Sequence, residues 1–364
     1  MRAFIPISQP SITQKEIDYV TDAVKSGWVS SLGEYINLFE KKFADYCGVE
    51  YALTTSNGTA AIHLVLDALG IGPGDEVIIP DFTFIATANA VSYTGATPVL
   101  VDIDPVNLCI SPSSFESAIT DRTKAIVPVH IYGHPADMDA INSIAQNHNI
   151  LVIEDAAEAI GASINGKMVG GLGLCGTFSF YGNKNITSGE GGMITTNDRE
   201  LYEHCHALRD HAMSKSKRYW HDEIGFNYRM TNLQAALGCA QMDRVNELVG
   251  KRRDNYTLYE KFLGNNSKIR LNRTNDWAVN SYWQVCVEIR GLNLEERDEL
   301  MAKLKSLGID SRPYFYPISD MPMYDSVDTP ITHDIYQSGI CLPTYFDLSE
   351  DEIKYVCNSL IELI

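Results

Sequence analysis

Between residues 51 and 196, short apolar runs alternate with segments of helical spacing. Seven runs read as strands: 51–55, 76–80, 97–102, 124–129, 150–154, 176–180 and 192–196. Helical patterns at 59–69, 84–93, 113–120 and 137–148 lie between several of them, and two amphipathic segments, 14–25 and 34–46, come before. Such alternation predicts an α/β domain around a mainly parallel sheet. The last two runs are close enough to pair antiparallel. After about residue 232 the rhythm changes. One long helical stretch (232–263), a strand (282–287), a helix (294–306), the segment Ser311-Arg312-Pro313-Tyr314-Phe315 and a final helix (349–363) read as a smaller α+β lobe. The expected division is 1–240 and 241–364.

Open α/β sheets bind ligands at the carboxyl ends of their strands, and the chemistry-bearing residues gather there. Glu154 and Asp155 end the apolar run at 150–153, with Glu158 close behind. Lys184 lies in Phe178-Ser179-Phe180-Tyr181-Gly182-Asn183-Lys184, just before Gly189-Glu190-Gly191-Gly192. A lysine in a small-residue loop and a carboxylate at a strand end are what a pyridoxal phosphate (PLP) enzyme needs. The lysine holds the cofactor aldehyde as a Schiff base, and the carboxylate keeps the ring nitrogen protonated. Ser56-Asn57-Gly58-Thr59-Ala60-Ala61 joins a strand to an apolar helix; it reads either as a simple N-cap or as a phosphate cradle at a helix N-terminus. Ser179 is placed to give a hydroxyl to the same phosphate. Phe84 is either a core residue or a ring that stacks on a flat cofactor. Arg229, in Gly225-Phe226-Asn227-Tyr228-Arg229-Met230-Thr231-Asn232, is a candidate for an anionic substrate group.

Charge narrows the partners. With 29 basic and 47 acidic residues, the net charge of −18 argues against nucleic acid and against anionic membrane surfaces. The eight cysteines are scattered with no CxxC pair, so buried reduced thiols are expected. The histidines His204/His206/His211 and His130/His134 have no carboxylate or cysteine at a convincing ligand spacing, and no metal site is expected. No signal peptide and no membrane-length apolar run is apparent, and a cytoplasmic protein is expected. The loop Met213-Ser214-Lys215-Ser216-Lys217-Arg218 reads either as a surface segment or as a contact for nucleotide phosphates.

These motifs resemble the sugar-nucleotide aminotransferases of the DegT/DnrJ/EryC1/StrS family over essentially the whole chain. The resemblance rests on Gly-Trp-Val-Ser (27–30), Ser-Asn-Gly-Thr-Ala-Ala (56–61), Glu-Asp-Ala-Ala-Glu (154–158), Ser-Phe-Tyr-Gly-Asn-Lys (179–184), Gly-Glu-Gly-Gly (189–192), Asn-Tyr-Arg-Met (227–230) and Arg-Pro-Tyr-Phe (312–315). It implies a fold type I PLP-dependent transferase (aspartate aminotransferase-like), with a seven-stranded sheet and a smaller C-terminal α+β domain. It also implies roles. Lys184 would carry PLP, Asp155 would meet the ring nitrogen, Phe84 would stack, and Gly58, Thr59 and Ser179 would hold the phosphate, with Glu158 in support. Asn227 would reach the phosphate from the partner subunit of a homodimer. Trp28, Ser30, Arg229, Arg312, Tyr314 and Tyr316 would line the substrate channel. The implied reaction moves the amino group of L-glutamate to the C4 keto carbon of a nucleotide-linked 4-keto-6-deoxy sugar and releases 2-oxoglutarate. The segments 180–184, 218–221 and 321–324 resemble the branch acting on the GDP-linked mannose derivative; UDP- and dTDP-linked sugars are the alternatives. Family members often carry histidine where this chain has Ser319. A non-catalytic sensor of PLP or sugar nucleotide is the competing class, and it needs no proton-shuttling lysine.

Overall fold

The computed structural model describes residues 4–364. Helices α1 (Gln14–Ser26) and α2 (Glu34–Cys47) open the chain. Then β1 (Tyr51–Thr55), α3 (Gly58–Ala68), β2 (Glu76–Pro80), α4 (Ala86–Tyr93), β3 (Thr97–Val101), α5 (Pro112–Ser117), β4 (Thr123–Ile126), α6 (Met138–His148) and β5 (Leu151–Asp155) alternate. A hairpin of β6 (Ser163–Ile164) and β7 (Lys167–Met168) precedes β8 (Cys175–Ser179), β9 (Gly192–Thr196) and α7 (Arg199–Leu208). Helices α8 (Asn232–Met242) and α9 (Val245–Leu263) lead to β10 (Ile269–Leu271), β11 (Ala278–Val279), β12 (Val285–Ile289), α10 (Leu294–Ser306), β13 (Arg312–Pro313), α11 (Pro330–Ser338), β14 (Gly339–Leu342) and α12 (Glu350–Leu363).

Seven strands form one sheet in the order β1-β9-β8-β5-β4-β2-β3. Strand β9 runs antiparallel to both of its neighbours, and the other pairs are parallel. The expected strands 176–180 and 192–196 are therefore the antiparallel pair. Strand β2 (Glu-Val-Ile-Ile-Pro) is buried throughout, as strands covered on both faces are. Helix α3 is small and apolar along its first turns, so it lies close under the sheet. A second sheet, β10-β12-β14-β13, packs with α9, α10 and α12 around its own core, which includes Tyr259, Val287, Leu304 and Val356.

Two expected elements differ. The stretch 232–263 is two helices, because Asp243 and Arg244 break it. Arg244 leaves the helical path (φ −117°, ψ 6°) and its guanidinium reaches Glu16 Oε1 at 3.0 Å and Ser11 Oγ at 2.9 Å. Asp243 meanwhile takes Lys15 and Lys42. The strand expected at 282–287 begins only at Val285. Residues 281–284 are irregular instead: Tyr282 has φ +48° and Ser281 N donates to Gly133 O at 3.0 Å.

Candidate active site

Three strand ends and one loop meet in a cavity of about 1250 Å³. At the end of β5, alternation sends neighbouring carboxylates to opposite faces. Glu154 is buried and fully partnered. Its oxygens accept from Gly170, Leu172 and Gly173 N–H groups, each at 2.7 Å, and from His130 Nε2 at 3.0 Å. His130 Nδ1 accepts from Ala136 N at 3.0 Å, which leaves Nε2 to donate to Glu154. This pair braces the strand and does not face the cavity.

Asp155 does line the cavity. Thr87 Oγ1, in the first turn of α4, donates to Asp155 Oδ2 at 2.8 Å, and Ala157 N donates to Oδ1 at 3.1 Å. Burial raises its carboxyl above the ordinary aspartate range; those two bonds and the Lys184 ammonium work against that. Glu158 is buried as well. Burial pushes it up to about 7, opposed by Lys184 and by the Tyr132 N–H, which donates to Oε2 at 2.8 Å. Its Oε1 is 3.9 Å from Lys184 Nζ. The Lys184 amine is held below the ordinary lysine range by burial, while Glu158 and Asp155 pull it back up. A buried lysine between two carboxylates is a group made to exchange a proton.

The turn after β1 forms the opposite wall. Asn57 caps α3 by accepting from Ala60 N at 2.8 Å, which answers the N-cap reading. The first-turn N–H groups of Gly58 and Thr59 have no intrahelical acceptor, and both residues line the cavity. The cap thus leaves these two N–H groups open to the cavity. A Cβ on Gly58 would lie 3.0 Å from Ser179 Cβ, so glycine lets these two segments meet. Gly192, opening β9, is tighter still: a Cβ there would stand 2.4 Å from Asn57 O. The residues present fit PLP on these grounds. They offer a tight N–H-lined turn with a serine hydroxyl for a phosphate, a buried carboxylate with an acceptor face for a pyridinium, and a buried amine between them.

Of the expected site residues, Gly58, Thr59, Phe84, Asp155, Glu158, Ser179, Lys184, Arg312, Tyr314 and Tyr316 line this cavity. Phe84 is 55% exposed toward it, which removes the core alternative; its ring is 5.9 Å from Phe315. Tyr314 is buried, so it forms wall, not mouth. Trp28, Ser30, Asn227 and Arg229 are not brought into the cavity. Trp28, Ser30 and Arg229, expected at the substrate channel, lie outside the cavity of their own chain. Asn232 pins the loop of the first two, donating to Trp28 O at 2.7 Å and, through its backbone N–H, to Ser30 O at 2.6 Å. Arg229 pairs with Asp210 at 2.8 Å and donates to Asn227 Oδ1. Ser319 is also outside: its hydroxyl donates to Asp81 Oδ2 at 2.7 Å and its N–H to Oδ1 at 2.8 Å.

Thr87, Tyr132 and Trp283 were not singled out from sequence. Thr87 carried a usable signal, since a buried Asp155 needs a donor. Tyr132 carried none, because its part is played by a backbone N–H in a left-handed residue (φ +52°).

Residues 10–361 match the model of the DegT/DnrJ/EryC1/StrS aminotransferase family. The chain belongs to that family. It is 46% identical over 361 residues to GDP-perosamine synthase of Escherichia coli O157:H7, covering 99% of this chain and 98% of that one. It is 47% identical over 365 residues to GDP-perosamine synthase of Caulobacter vibrioides, again covering 99% and 98%. Among solved structures, Spr1654 from Streptococcus pneumoniae in its PLP-form superposes with a TM-score of 0.95 at 28% identity, covering 99% of this chain and 98% of that one. The chain is thus a PLP-dependent aminotransferase of the expected fold. Among the described residues, no helix is long and apolar enough to cross a membrane, and no group of three or more His, Cys, Asp or Glu side chains is arranged to hold a metal ion.

Proposed function

We propose that this chain transfers the amino group of L-glutamate to C4 of GDP-4-keto-6-deoxy-D-mannose, giving GDP-perosamine for polysaccharide or O-antigen synthesis in the cytoplasm. The observation that carries the chemistry is Lys184 Nζ, buried 3.9 Å from Glu158 Oε1 at the floor of a cavity large enough for a nucleotide sugar. The GDP-sugar follows from whole-length identity to two proteins that bear the synthase name.

When bound, PLP supplies an electron sink that makes the substrate's α-proton labile. Asp155, held by Thr87, places its carboxylate where a ring nitrogen would be kept protonated. Gly58, Thr59 and Ser179 would hold the PLP phosphate. Lys184, once free of the cofactor, would take a proton at Nζ and return it, and burial, by holding the amine below the ordinary lysine range, favours that exchange. Glu158 balances the ammonium. Phe84 covers one face of the site, and Arg312 and Tyr316 stand at the sugar-nucleotide side. Trp28, Ser30, Asn227 and Arg229, which lie outside the cavity of their own chain, complete the site of a second copy in a homodimer.

The test mixes the enzyme, preloaded with pyridoxamine phosphate, with 4-keto-6-deoxy sugars linked to GDP, UDP or dTDP. Rapid return of the PLP absorbance with the GDP sugar, and GDP-perosamine by NMR, is the expected result. Return only with a UDP or dTDP sugar would keep the transaminase and overturn the substrate. Lys184→Ala is expected to lose at least about 10³-fold in turnover.

A further inference from the structure

The carbonyl of Asn183, immediately before Lys184, is gripped from three directions. Trp283 Nε1 donates to it at 2.8 Å, Ser8 Oγ at 3.3 Å and Arg252 Nη2 at 3.4 Å. Arg252 lies on α9 and is buried, with no carboxylate partner among the described residues; its other bonds go to Trp283 O, Thr344 O and Ser8 Oγ. Trp283 precedes β12 and is 6% exposed. Its ring is parallel to Tyr132 within 20°, and that residue's N–H is the one that holds Glu158. The Lys184 ammonium sits over the same indole, 3.8 Å from the ring centroid. One side chain therefore fixes the peptide that carries the lysine and offers its π face to the lysine's charge.

We propose that Trp283 is a positioning residue that seats the Lys184 ammonium over its indole face whenever the lysine is detached from the cofactor. The inference rests on the reading of Lys184 as the cofactor-bearing lysine. During transamination the lysine must leave the cofactor, stay close and come back. A buried ammonium with nowhere to rest would be costly. Glu158, at 3.9 Å, meets only one side of it. Asp155 is the other carboxylate in reach, Arg252 is a like charge behind the loop, and Tyr132 presents a buried phenol beside the indole. The π face attracts the cation without forming a directional bond that must break on each cycle.

The test uses full-length protein in its pyridoxamine phosphate form, where the lysine is free. Acetic anhydride is applied across neutral to alkaline pH, and acetylation of Lys184 is followed by peptide mass spectrometry. Trp283→Leu is expected to lower the apparent pKa of Lys184 by about one unit. Trp283→Phe keeps a ring face and is expected to retain most of the parent value. If the leucine variant does not fold, Trp283→Met removes the π face with an unbranched, flexible side chain that adapts better to an irregular gap. A folded Leu or Met variant with the parent titration overturns the proposal, and so does an equal shift in the Phe variant. Borohydride reduction of the PLP form, with the same peptide mapping, separates the two readings. An adduct on another lysine overturns the parent reading, whereas an adduct on Lys184 with a failed acylation series overturns the seat alone.

Discussion

Thr87 Oγ1 and Asp155 Oδ2 are joined at 2.8 Å in a buried bond that ties α4 to the end of β5. Burial disfavours the Asp155 carboxylate, and this donor restores part of what burial takes away. Thr87→Val keeps the shape and removes the donor. A hydrogen bond to a charged group is worth about 1.5–3 kcal/mol, so turnover should fall by about tenfold or more while PLP remains attached. Asp155→Asn should fall further, by about 10²-fold. Stopped-flow half-reactions, with the PLP absorbance as a check on occupancy, read both; unchanged rates in Thr87→Val would mean that the bond does not tune the carboxylate.

Glu158 predicts a pH signature. Burial pushes it up to about 7, above the ordinary glutamate value of 4.5. The folded state therefore holds the proton more tightly than the unfolded chain. That contribution is complete below about 4.5 and is lost as pH rises to about 7. Glu158→Gln cannot ionise, so its melting temperature should gain on the parent across that window. Scanning calorimetry of the cofactor-free proteins checks this, and a difference that does not vary with pH would refute it.

Gly58→Ala places a methyl group 3.0 Å from Ser179 Cβ and 3.3 Å from Phe178 O. Overpacking of this kind costs about 1–3 kcal/mol. Because the strain falls on the phosphate wall, PLP affinity should weaken by about tenfold. Equilibrium titration with PLP measures it. A variant that binds as the parent does would remove the cradle from this turn.

Ser319 is spent on structure. Ser319→Ala leaves Asp81 with Ser319 N and Thr329 Oγ1 as donors, and stability should fall by about 1–2 kcal/mol with KM for the sugar nucleotide unchanged. Ser319→His should destabilise more, since the position is 4% exposed. Urea unfolding and steady-state kinetics together decide it; a raised KM in Ser319→Ala would return the residue to the substrate channel.

The sheet was legible because its strands are buried on both faces and read as apolar runs. Lys184 and Asp155 were legible because each stands beside a strand end with an unusual neighbourhood of glycine or carboxylates. Less visible was anything that acts through the backbone. The grip on Asn183 O joins Ser8, Arg252 and Trp283, which are distant along the chain. Tyr132 serves Glu158 through its N–H and not through its ring. The break at Asp243–Arg244 was hidden too, because it is set by partners on α1 and α2 and not by a glycine or proline. Trp28, Ser30 and Arg229 were readable as motif residues, but which cavity they serve depends on packing that a pattern does not carry.

Strand β9 is the last of the seven along the chain, yet it lies between β1 and β8, pairing Thr55 with Gly192 on one side and Ser179 with Gly192 on the other. As the chain leaves the ribosome, β1 has no neighbour until β9 arrives. The turn that follows β1 and the loop that carries Lys184 flank this one strand, so the two walls of the cavity are held together through the antiparallel pairings of β9 and not through the parallel strands alone. A change that loosened β9 would part those walls while leaving the parallel pairs in place.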